Sequence, residues 1–428
     1  MLQNKIVQNA KWIIAGKLVQ SLMQFVIGMI SARYLGPSNY GILNYAASVA
    51  AFAMPLAQLG MRATLVQEYI ADPEKEGEIL GTSCVISMLS AFFCLVGVTA
   101  FAAVANHNDK ETIVVCGLYG ISIIFQTSEL MYCWFQARLL SQHSTVASLI
   151  SYFTLCVYRL YLLISQKNVY FFALAHSFEY LILGILFIRA YRNNAGKKLA
   201  FSGSMARMLL AKSKYYILAE LMVTAFQNTD HIMLQMISGE ASNGYYTAAV
   251  TCVCMTGFVY NAILDSVRPV VLVNRGKSLE VFERSMSGLY GLVIYMAVAQ
   301  SVLFALLAEP IVWVIYGSAY LPAILVLKID VWMLAFSCMG SVRNVWILAE
   351  EKHSLLWVIN LCGVVANILL NAVMIPIWGA SGAAIASVIT QFVTNFVVGF
   401  CIKPLRRNNI LLLQGLNPRY IRYVLAGT

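Results

Sequence analysis

The chain is a succession of long apolar segments separated by short polar turns. A membrane-spanning helix needs about 20 consecutive apolar residues, and about twelve segments of the 428-residue chain reach this length. Only 11% of the residues are charged, whereas soluble domains carry roughly 25%. We therefore predict an all-α polytopic membrane protein with about twelve transmembrane helices. The predicted spans lie near residues 10–33, 42–67, 79–105, 112–137, 146–164, 169–190, 214–237, 244–272, 287–308, 322–348, 355–375 and 379–402.

The turn between the first two spans has a counterpart later in the chain. Gly36 and Gly41 bound the first turn, and Gly239 and Gly244 bound the second with the same spacing, 203 residues later. Duplication of this kind is typical of secondary transporters. The same offset pairs polar residues of the flanking apolar segments, namely Lys17 with Glu220, Gln24 with Gln227, Gln58 with Asn261 and Arg62 with Asp265.

The duplication predicts two pseudo-symmetric six-helix lobes around a central cavity. The first lobe, residues 1–192, would contain spans one to six, and the second, residues 214–402, spans seven to twelve. Between them the basic segment 193–213 is predicted to be a cytoplasmic linker. A basic cytoplasmic tail would follow at 403–428.

The net charge of +10 is explained by topology rather than by nucleic-acid binding. Loops on one side hold twenty lysines and arginines, and those on the other hold only Arg33, Lys110 and Lys167. Cytoplasmic loops carry such an excess, so both termini are predicted to face the cytoplasm. The cysteines and histidines lack metal-ligand spacing, and no hydrolase, phosphate-loop or dinucleotide motif is present. The sequence predicts neither an enzyme nor a cofactor.

Charged residues inside the apolar segments are the candidate functional residues. Each costs at least about 2.5–3.5 kcal/mol at the bilayer centre, so a group of them predicts a water-filled interior. Arginines and lysines there suit an anionic substrate, because guanidinium groups bind phosphate oxygens in bidentate fashion. Two alternatives stay open: Lys17 could extend to the inner membrane surface, and Arg62 could anchor its helix there.

Structural pairing is an alternative for several other charges. Asp265 and Arg268 are three residues apart on one helix and could pair with each other. Arg159 lies among Tyr158 and Tyr161 in span five, and span six contains His176 and Glu179. Either group could be a satisfied polar contact between packed helices or could have a transport role.

Two stretches carry a family resemblance, residues 32–41, which contain the first turn, and residues 376–386, which are rich in glycine and alanine. In these stretches, and in span count, length and two-lobe layout, the chain resembles the bacterial polysaccharide repeat-unit (O-antigen) flippases. That family belongs to the superfamily that also contains multidrug and toxin exporters and lipid II flippases.

The resemblance implies alternating access in the bacterial cytoplasmic (inner) membrane. Cationic residues would bind the diphosphate of an undecaprenyl-diphosphate-linked oligosaccharide, destined for O-antigen, lipopolysaccharide or another surface polysaccharide. The partners would be this lipid, membrane lipid and a polymerase of the same pathway. The matching cations are Lys17, Arg62 and Arg268, with Lys328 and Arg343 as looser candidates. Residues expected to line the cavity or to couple transport to H⁺ or Na⁺ are Gln24, Gln58, Glu220, Gln227, Asp230 and Asp265.

Two rival classes of protein are weighed against the flippase. A multidrug exporter of the same superfamily would offer carboxylates to cationic drugs, whereas the first lobe here offers Lys17 and Arg62. An integral-membrane glycan polymerase would have a similar hydropathy but generally needs a large outside loop, and the outside loops here are short. These comparisons favour the flippase.

Overall fold

The computed structural model describes residues 2–106, 109–194 and 196–425, and within them the side chains other than those of residues 2–15, Lys17, Phe258, Lys277, 424 and 425. Regular structure in these ranges is entirely helical, which confirms the all-α prediction. The helices are α1 (Leu2–Ala57), α2 (Arg62–Ala71), α3 (Glu76–Ala105), α4 (Lys110–Gln126), α5 (Leu130–Ala137), α6 (Ser141–Ile164), α7 (Val169–Asn193), α8 (Gly203–Ser238), α9 (Glu240–Cys254), α10 (Gly257–Lys277), α11 (Leu279–Leu306), α12 (Ala308–Tyr316), α13 (Ala323–Asp330), α14 (Met333–Ala349), α15 (Leu355–Phe392), α16 (Val398–Cys401), α17 (Arg406–Gly415) and α18 (Arg422–Leu425).

The number of candidate membrane spans is smaller than the number predicted. Within the described ranges, eight helical stretches are long and apolar enough to cross a membrane, or nine if a bent pair in 240–276 counts as one span. Two of the eight, Leu18–Ala71 and Leu355–Cys401, have 54 and 47 residues, far more than one span requires. The protein is therefore a multi-pass membrane protein, and the count of twelve stays a prediction.

Glycines interrupt the helices at both predicted turns. In α1, Gly36 has φ 72° and ψ 172°, so that two helices meet there. Gly239 has φ 81° and ψ −179° and separates α8 from α9. This region of φ and ψ is open essentially to glycine alone. The duplicated turn therefore has the same backbone conformation in both copies, 203 residues apart.

The chain forms two compact units, residues 1–228 and 229–428, which divide it at a different place from the predicted lobes. The predicted linker is docked inside the first unit, where the Ala200 N–H donates to the Gly77 carbonyl (3.1 Å). The Ser202 N–H donates to Thr82 Oγ1 (3.0 Å). The first part of α8 also belongs to this unit. The assignment of 193–213 as a connection between two lobes stays a prediction.

A buried carboxylate secures this docked segment. Glu76, only 2% exposed, accepts hydrogen bonds from Trp134 Nε1 (2.9 Å) and Arg138 Nη2 (2.5 Å). Its other oxygen accepts from the Lys197 N–H (3.4 Å). One side chain thus ties together the start of α3, the end of α5 and residues 196–202.

In the second unit, the predicted tail contains a helix, α17, that packs on α11. Leu411 and Leu412 of α17 are buried, and Tyr290 of α11 donates its hydroxyl proton to Asn408 Oδ1 (2.9 Å). Arg407 forms a two-pronged ion pair with Glu283 at the start of α11. The tail is therefore part of the packed structure of this unit.

Candidate functional site

A cavity of about 550 Å³ lies within the first unit. It brings together four of the predicted site residues, because the turn after α1 contributes Gln58, the start of α2 contributes Arg62, and α8 contributes Glu220 and Gln227. The other polar residues that line it are Tyr119, Gln126, Glu129, Thr224 and Asn228.

Arg62 and Glu129 form an ion pair in this cavity, with 3.1 Å between Nη1 and Oε2. Both residues lie at interruptions of helices. Arg62 follows the turn at Gly60, which has φ +63°, and Glu129 ends a 3₁₀ turn between α4 and α5. Such interruptions inside long helices often mark functional sites. Half of the Arg62 side chain stays exposed, against 26% for Glu129.

Helix α8 reaches the cavity because its backbone approaches the same turn. A Cβ atom on Gly60 would lie 2.7 Å from Ile217 N and 2.9 Å from Ser213 O, so only glycine permits this contact. The Ser213 hydroxyl also hydrogen-bonds to that of Thr64 (3.0 Å). The contact fixes α8 one helical turn before Glu220.

The charges of the cavity are mixed. Arg62 is the cation among its described lining residues, and Glu129 and Glu220 are carboxylates. Glu220 is half-buried and lies within electrostatic range of Arg62. A guanidinium has five N–H donors, which pair with phosphate as well as with carboxylate. Arg62 can therefore bind an anion that takes the place of Glu129.

Asp230 forms a second polar centre, within the second unit. Its Oδ1 accepts hydrogen bonds from Asn367 Nδ2 (2.8 Å) and Asn371 Nδ2 (2.5 Å). Its Oδ2 accepts from the hydroxyls of Tyr246 (2.8 Å) and Ser387 (2.7 Å). We call these five residues the Asp230 cluster. Asp230 itself is 8% exposed, and its partners come from α9 and from both halves of α15.

Asp330 of α13 lies close enough to Asp230 for their charges to interact. It is fully buried, and among the side chains that the structure describes neither of its oxygens has a hydrogen-bond partner. The Oδ1 atom of Asn371 is likewise buried without such a partner. The Asp230 cluster thus adjoins a group of buried oxygens, the atoms that hard cations prefer as ligands.

The remaining predicted cations lie elsewhere. Arg343 is 5% exposed and donates to the Thr394 carbonyl (3.0 Å) and to Asn395 Oδ1 (2.9 Å) within the second unit. Arg268 pairs with Asp265 at 3.5 Å, the partner that their spacing allowed.

Three predicted site residues remain. Lys328 of α13 and Gln24 of α1 are exposed and are not among the residues that line the cavity described above. The side chain of Lys17 lies outside the described residues.

Sequence analysis did not assign a site role to Glu129 or to the partners of Asp230. Glu129 could have been found as an acidic residue in an otherwise apolar segment. Asn367 and Asn371 lie four residues apart, on one face of a very apolar helix. Ser387 and Tyr246 carry no comparable signal, because single hydroxyls are common in membrane helices.

The sequence signature of the family described as polysaccharide biosynthesis protein matches residues 6–272. A capsular polysaccharide biosynthesis protein of Staphylococcus aureus, CapF, is 21% identical over 398 residues, which cover 91% of this chain and 97% of the relative.

Two solved structures share the fold. A lipid II flippase, MurJ, in an inward closed conformation has a TM-score of 0.72 and 14% identity. The match covers 96% of this chain and 95% of the flippase. An inward-facing multidrug resistance transporter of the MATE family and the MOP superfamily has a TM-score of 0.68 and 14% identity. The match covers 92% of this chain and 96% of that transporter. At this identity the similarity shows the fold. The chain thus belongs to the polysaccharide biosynthesis protein family, and it shares its fold with a lipid II flippase and a multidrug resistance transporter.

Proposed function

We propose that this protein moves undecaprenyl-diphosphate-linked oligosaccharide repeat units across the bacterial cytoplasmic membrane by alternating access. The product would be O-antigen, capsule or another surface polysaccharide. Family membership and the capsular relative support the polysaccharide pathway, and the shared fold supports transport. The positive-inside pattern supports cytoplasmic termini.

The observation that carries the proposal is the half-exposed Arg62 in the cavity of the first unit. A diphosphate offers several charged oxygens to a planar guanidinium, a pairing stronger than a neutral hydrogen bond. Binding would exchange the Glu129 carboxylate for a phosphate at the same donors. Lys17, Arg268 and Lys328 are the further cations that we propose contact the substrate, whereas Arg343 is already engaged within the second unit.

A second candidate function follows from the acidic residues in the same cavity. Glu129 and Glu220 outnumber the described cation there, and carboxylates suit cationic drugs, the substrates expected of a multidrug exporter. The two functions predict opposite effects at Glu220. Removing its charge would leave binding of an anion intact or strengthened, but it would weaken binding of a cation.

The experiment compares surface polysaccharide in a deletion strain that carries variants of the gene. Arg62→Ala is expected to abolish export while the protein stays in the membrane. Arg62→Lys restores part of it, because lysine keeps the charge without the bidentate geometry. Glu220→Gln is expected to export normally. Arg284→Ala is the matched control, since this exposed arginine also pairs with a carboxylate, Glu280, but lies outside the cavity.

Normal export by Arg62→Ala would refute the proposal. Raised drug susceptibility in Glu220→Gln, with normal polysaccharide export in Arg62→Ala, would favour a cationic drug as the substrate instead. Drug susceptibility of the same strains provides the independent measurement, because the flippase is expected to leave it unchanged in every variant.

We further propose that a proton or sodium ion couples to transport at Asp230 rather than at Glu220 or Asp265. Asp230 is buried among neutral hydrogen-bond donors. Among the described side chains, no lysine or arginine forms an ion pair with it. Asp265 is 65% exposed and paired with Arg268. A polymerase of the same pathway remains a proposed partner.

A further inference from the structure

A second cavity, of about 460 Å³, lies within the first unit. Helices α1, α5, α6 and α7 form its walls. Most of the side chains that line it can form hydrogen bonds, among them Gln20, Gln136, Thr145, Ser148, Ser151 and Tyr180. Its volume falls in the range of about 300–1,000 Å³ that is usual for ligand pockets. We call it the side cavity.

The side cavity adjoins the cavity described above, because Arg62 and Glu129 line both. Their ion pair therefore stands on the wall that the two cavities share. A ligand with a phosphate on Arg62 would therefore place its next chemical group beside one cavity or the other.

The charged groups of the side cavity are already paired. Glu129 pairs with Arg62, and Glu179 Oε2 lies 3.2 Å from His176 Nδ1. The other ring nitrogen of His176 lies 3.0 Å from Arg159 Nη2, and because arginine only donates, that nitrogen accepts. His176 Nδ1 is then the donor to Glu179. Once a phosphate occupies Arg62, the charged groups left among the lining residues of the side cavity are the carboxylates of Glu129 and Glu179. Carboxylates repel a second anion and accept hydrogen bonds from neutral hydroxyl groups.

The uncharged lining has the chemistry of a site for a polyhydroxyl compound. Serine and threonine hydroxyls and glutamine amides both donate and accept hydrogen bonds, as the hydroxyls of a sugar do. Leu149, Leu183 and Phe187 supply apolar surface for the C–H faces of a sugar ring, and tyrosine rings combine both properties.

We propose that the side cavity binds the sugars nearest the diphosphate of the transported lipid, so that its lining contributes to headgroup specificity. This inference rests on the proposed function, since Arg62 must hold the diphosphate for the sugars to reach the side cavity. Ser148, Gln20 and Gln136 are the residues assigned to sugar contact.

The test measures binding of two lipids to purified protein in nanodiscs. The first is undecaprenyl diphosphate, and the second is the undecaprenyl-linked repeat unit purified from cells that lack the transporter. The wild type is expected to bind the second about tenfold more tightly, the gain expected from one or two hydrogen bonds. Both affinities are expected to fall in Arg62→Ala.

Two sets of variants examine the side cavity. Ser148→Phe fills it and is expected to reduce the tenfold preference to less than about twofold, with unchanged binding of undecaprenyl diphosphate. The double variant Gln20→Ala, Gln136→Ala removes two amides without adding volume and is expected to act in the same direction. Ile150→Phe is the matched control, because Ile150 lies two residues from Ser148 on α6 and is 47% exposed.

The outcomes separate this inference from the proposed function. Failure of both lipids to bind would overturn the proposed function and the inference with it. Arg62-dependent binding of both lipids with equal affinity would overturn the inference alone. A preference for the sugar-bearing lipid that survives in Ser148→Phe and in the double variant would also overturn it.

Discussion

Replacing Asp230 by asparagine is expected to remove ion coupling while preserving the fold. The asparagine keeps one oxygen, which can accept from Asn367 and Asn371 as the carboxylate does. Its amide replaces the other oxygen and can donate to Tyr246 and Ser387, because hydroxyl groups rotate to accept. The cluster stays paired, and we expect a loss of free energy of unfolding of about 1 kcal/mol.

Replacement by alanine is expected to be much more destabilising. Hydrogen bonds to a charged group contribute about 1.5–3 kcal/mol each, and Asp230 accepts four. The orphaned donors can partly pair with each other, since the hydroxyls of Tyr246 and Ser387 lie 3.0 Å apart and Asn371 Nδ2 lies 3.1 Å from Asn367 Oδ1. These contacts already exist beside the carboxylate. If they strengthen in its absence enough to recover half of the loss, Asp230→Ala lowers the free energy of unfolding by about 3–6 kcal/mol.

Two assays distinguish these effects. Denaturant unfolding in detergent micelles measures the free energy of unfolding. Reconstituted vesicles with an imposed sodium or pH gradient at zero membrane potential measure flipping of the lipid-linked oligosaccharide. Asp230→Asn is expected to unfold nearly as the wild type does and to lose gradient-driven flipping. Asp265→Asn is the control, because this exposed carboxylate is expected to be dispensable for coupling.

Gradient-driven flipping by Asp230→Asn at the wild-type rate would refute the assignment of coupling to Asp230. Flipping that responds to membrane potential alone in the wild type would refute ion coupling altogether, because moving one charge across 100 mV provides about 2.3 kcal/mol without any bound ion. Unfolding of Asp230→Asn with the large loss expected of alanine would refute the account of the hydrogen bonds.

Two predictions concern stability and are checked by the same unfolding measurements. Gly36→Ala and Gly239→Ala are each expected to lower the free energy of unfolding by about 1–3 kcal/mol through backbone strain alone. Apart from the neighbouring residues of the chain, no atom of the described residues lies within 4 Å of the place that the added methyl group would take. Gly28→Ala, with equal space and no positive φ, is expected to be neutral or stabilising. Glu76→Gln is expected to lower the free energy of unfolding by about 2 kcal/mol and to make residues 196–202 more sensitive to protease. Glu74→Gln is the control, because this carboxylate is 90% exposed, and it is expected to change the free energy of unfolding by less than about 0.5 kcal/mol.

The fold was predictable because its main signals are local in the sequence. Apolar length identifies helices in a membrane protein, and glycine at a turn predicts a backbone conformation that other residues disfavour. Gly36 and Gly239 show both the turn and the duplication. The docking of residues 196–202 was not predictable in this way, because the hydrogen bond from the Lys197 N–H to Glu76 joins residues 121 positions apart.

The candidate site was predictable in part for the same reason. Gln58, Arg62, Glu220 and Gln227 were identified as polar residues in apolar helices, and they line one cavity. Whether a charge faces a cavity or a partner depends on the orientation of each helix about its axis, which the sequence constrains only weakly. Arg343 illustrates this, since its hydrogen bonds lead to the π-helical segment Val393–Val397, and nothing in its own helix indicates them.

The two copies of the repeat have diverged in a way that favours separate roles. At the duplication offset Asp230 corresponds to Ile27, a buried apolar residue that is 5% exposed, so the first unit has no equivalent of the Asp230 cluster among its described residues. Arg62 corresponds to Asp265, which is exposed and paired on its own helix. Each unit thus has its polar centre at a position where the other copy has none. This asymmetry favours the two proposed roles, substrate binding in the first unit and ion coupling in the second, over two equivalent sites, because neither Arg62 nor Asp230 has a counterpart of the same charge at the duplication offset.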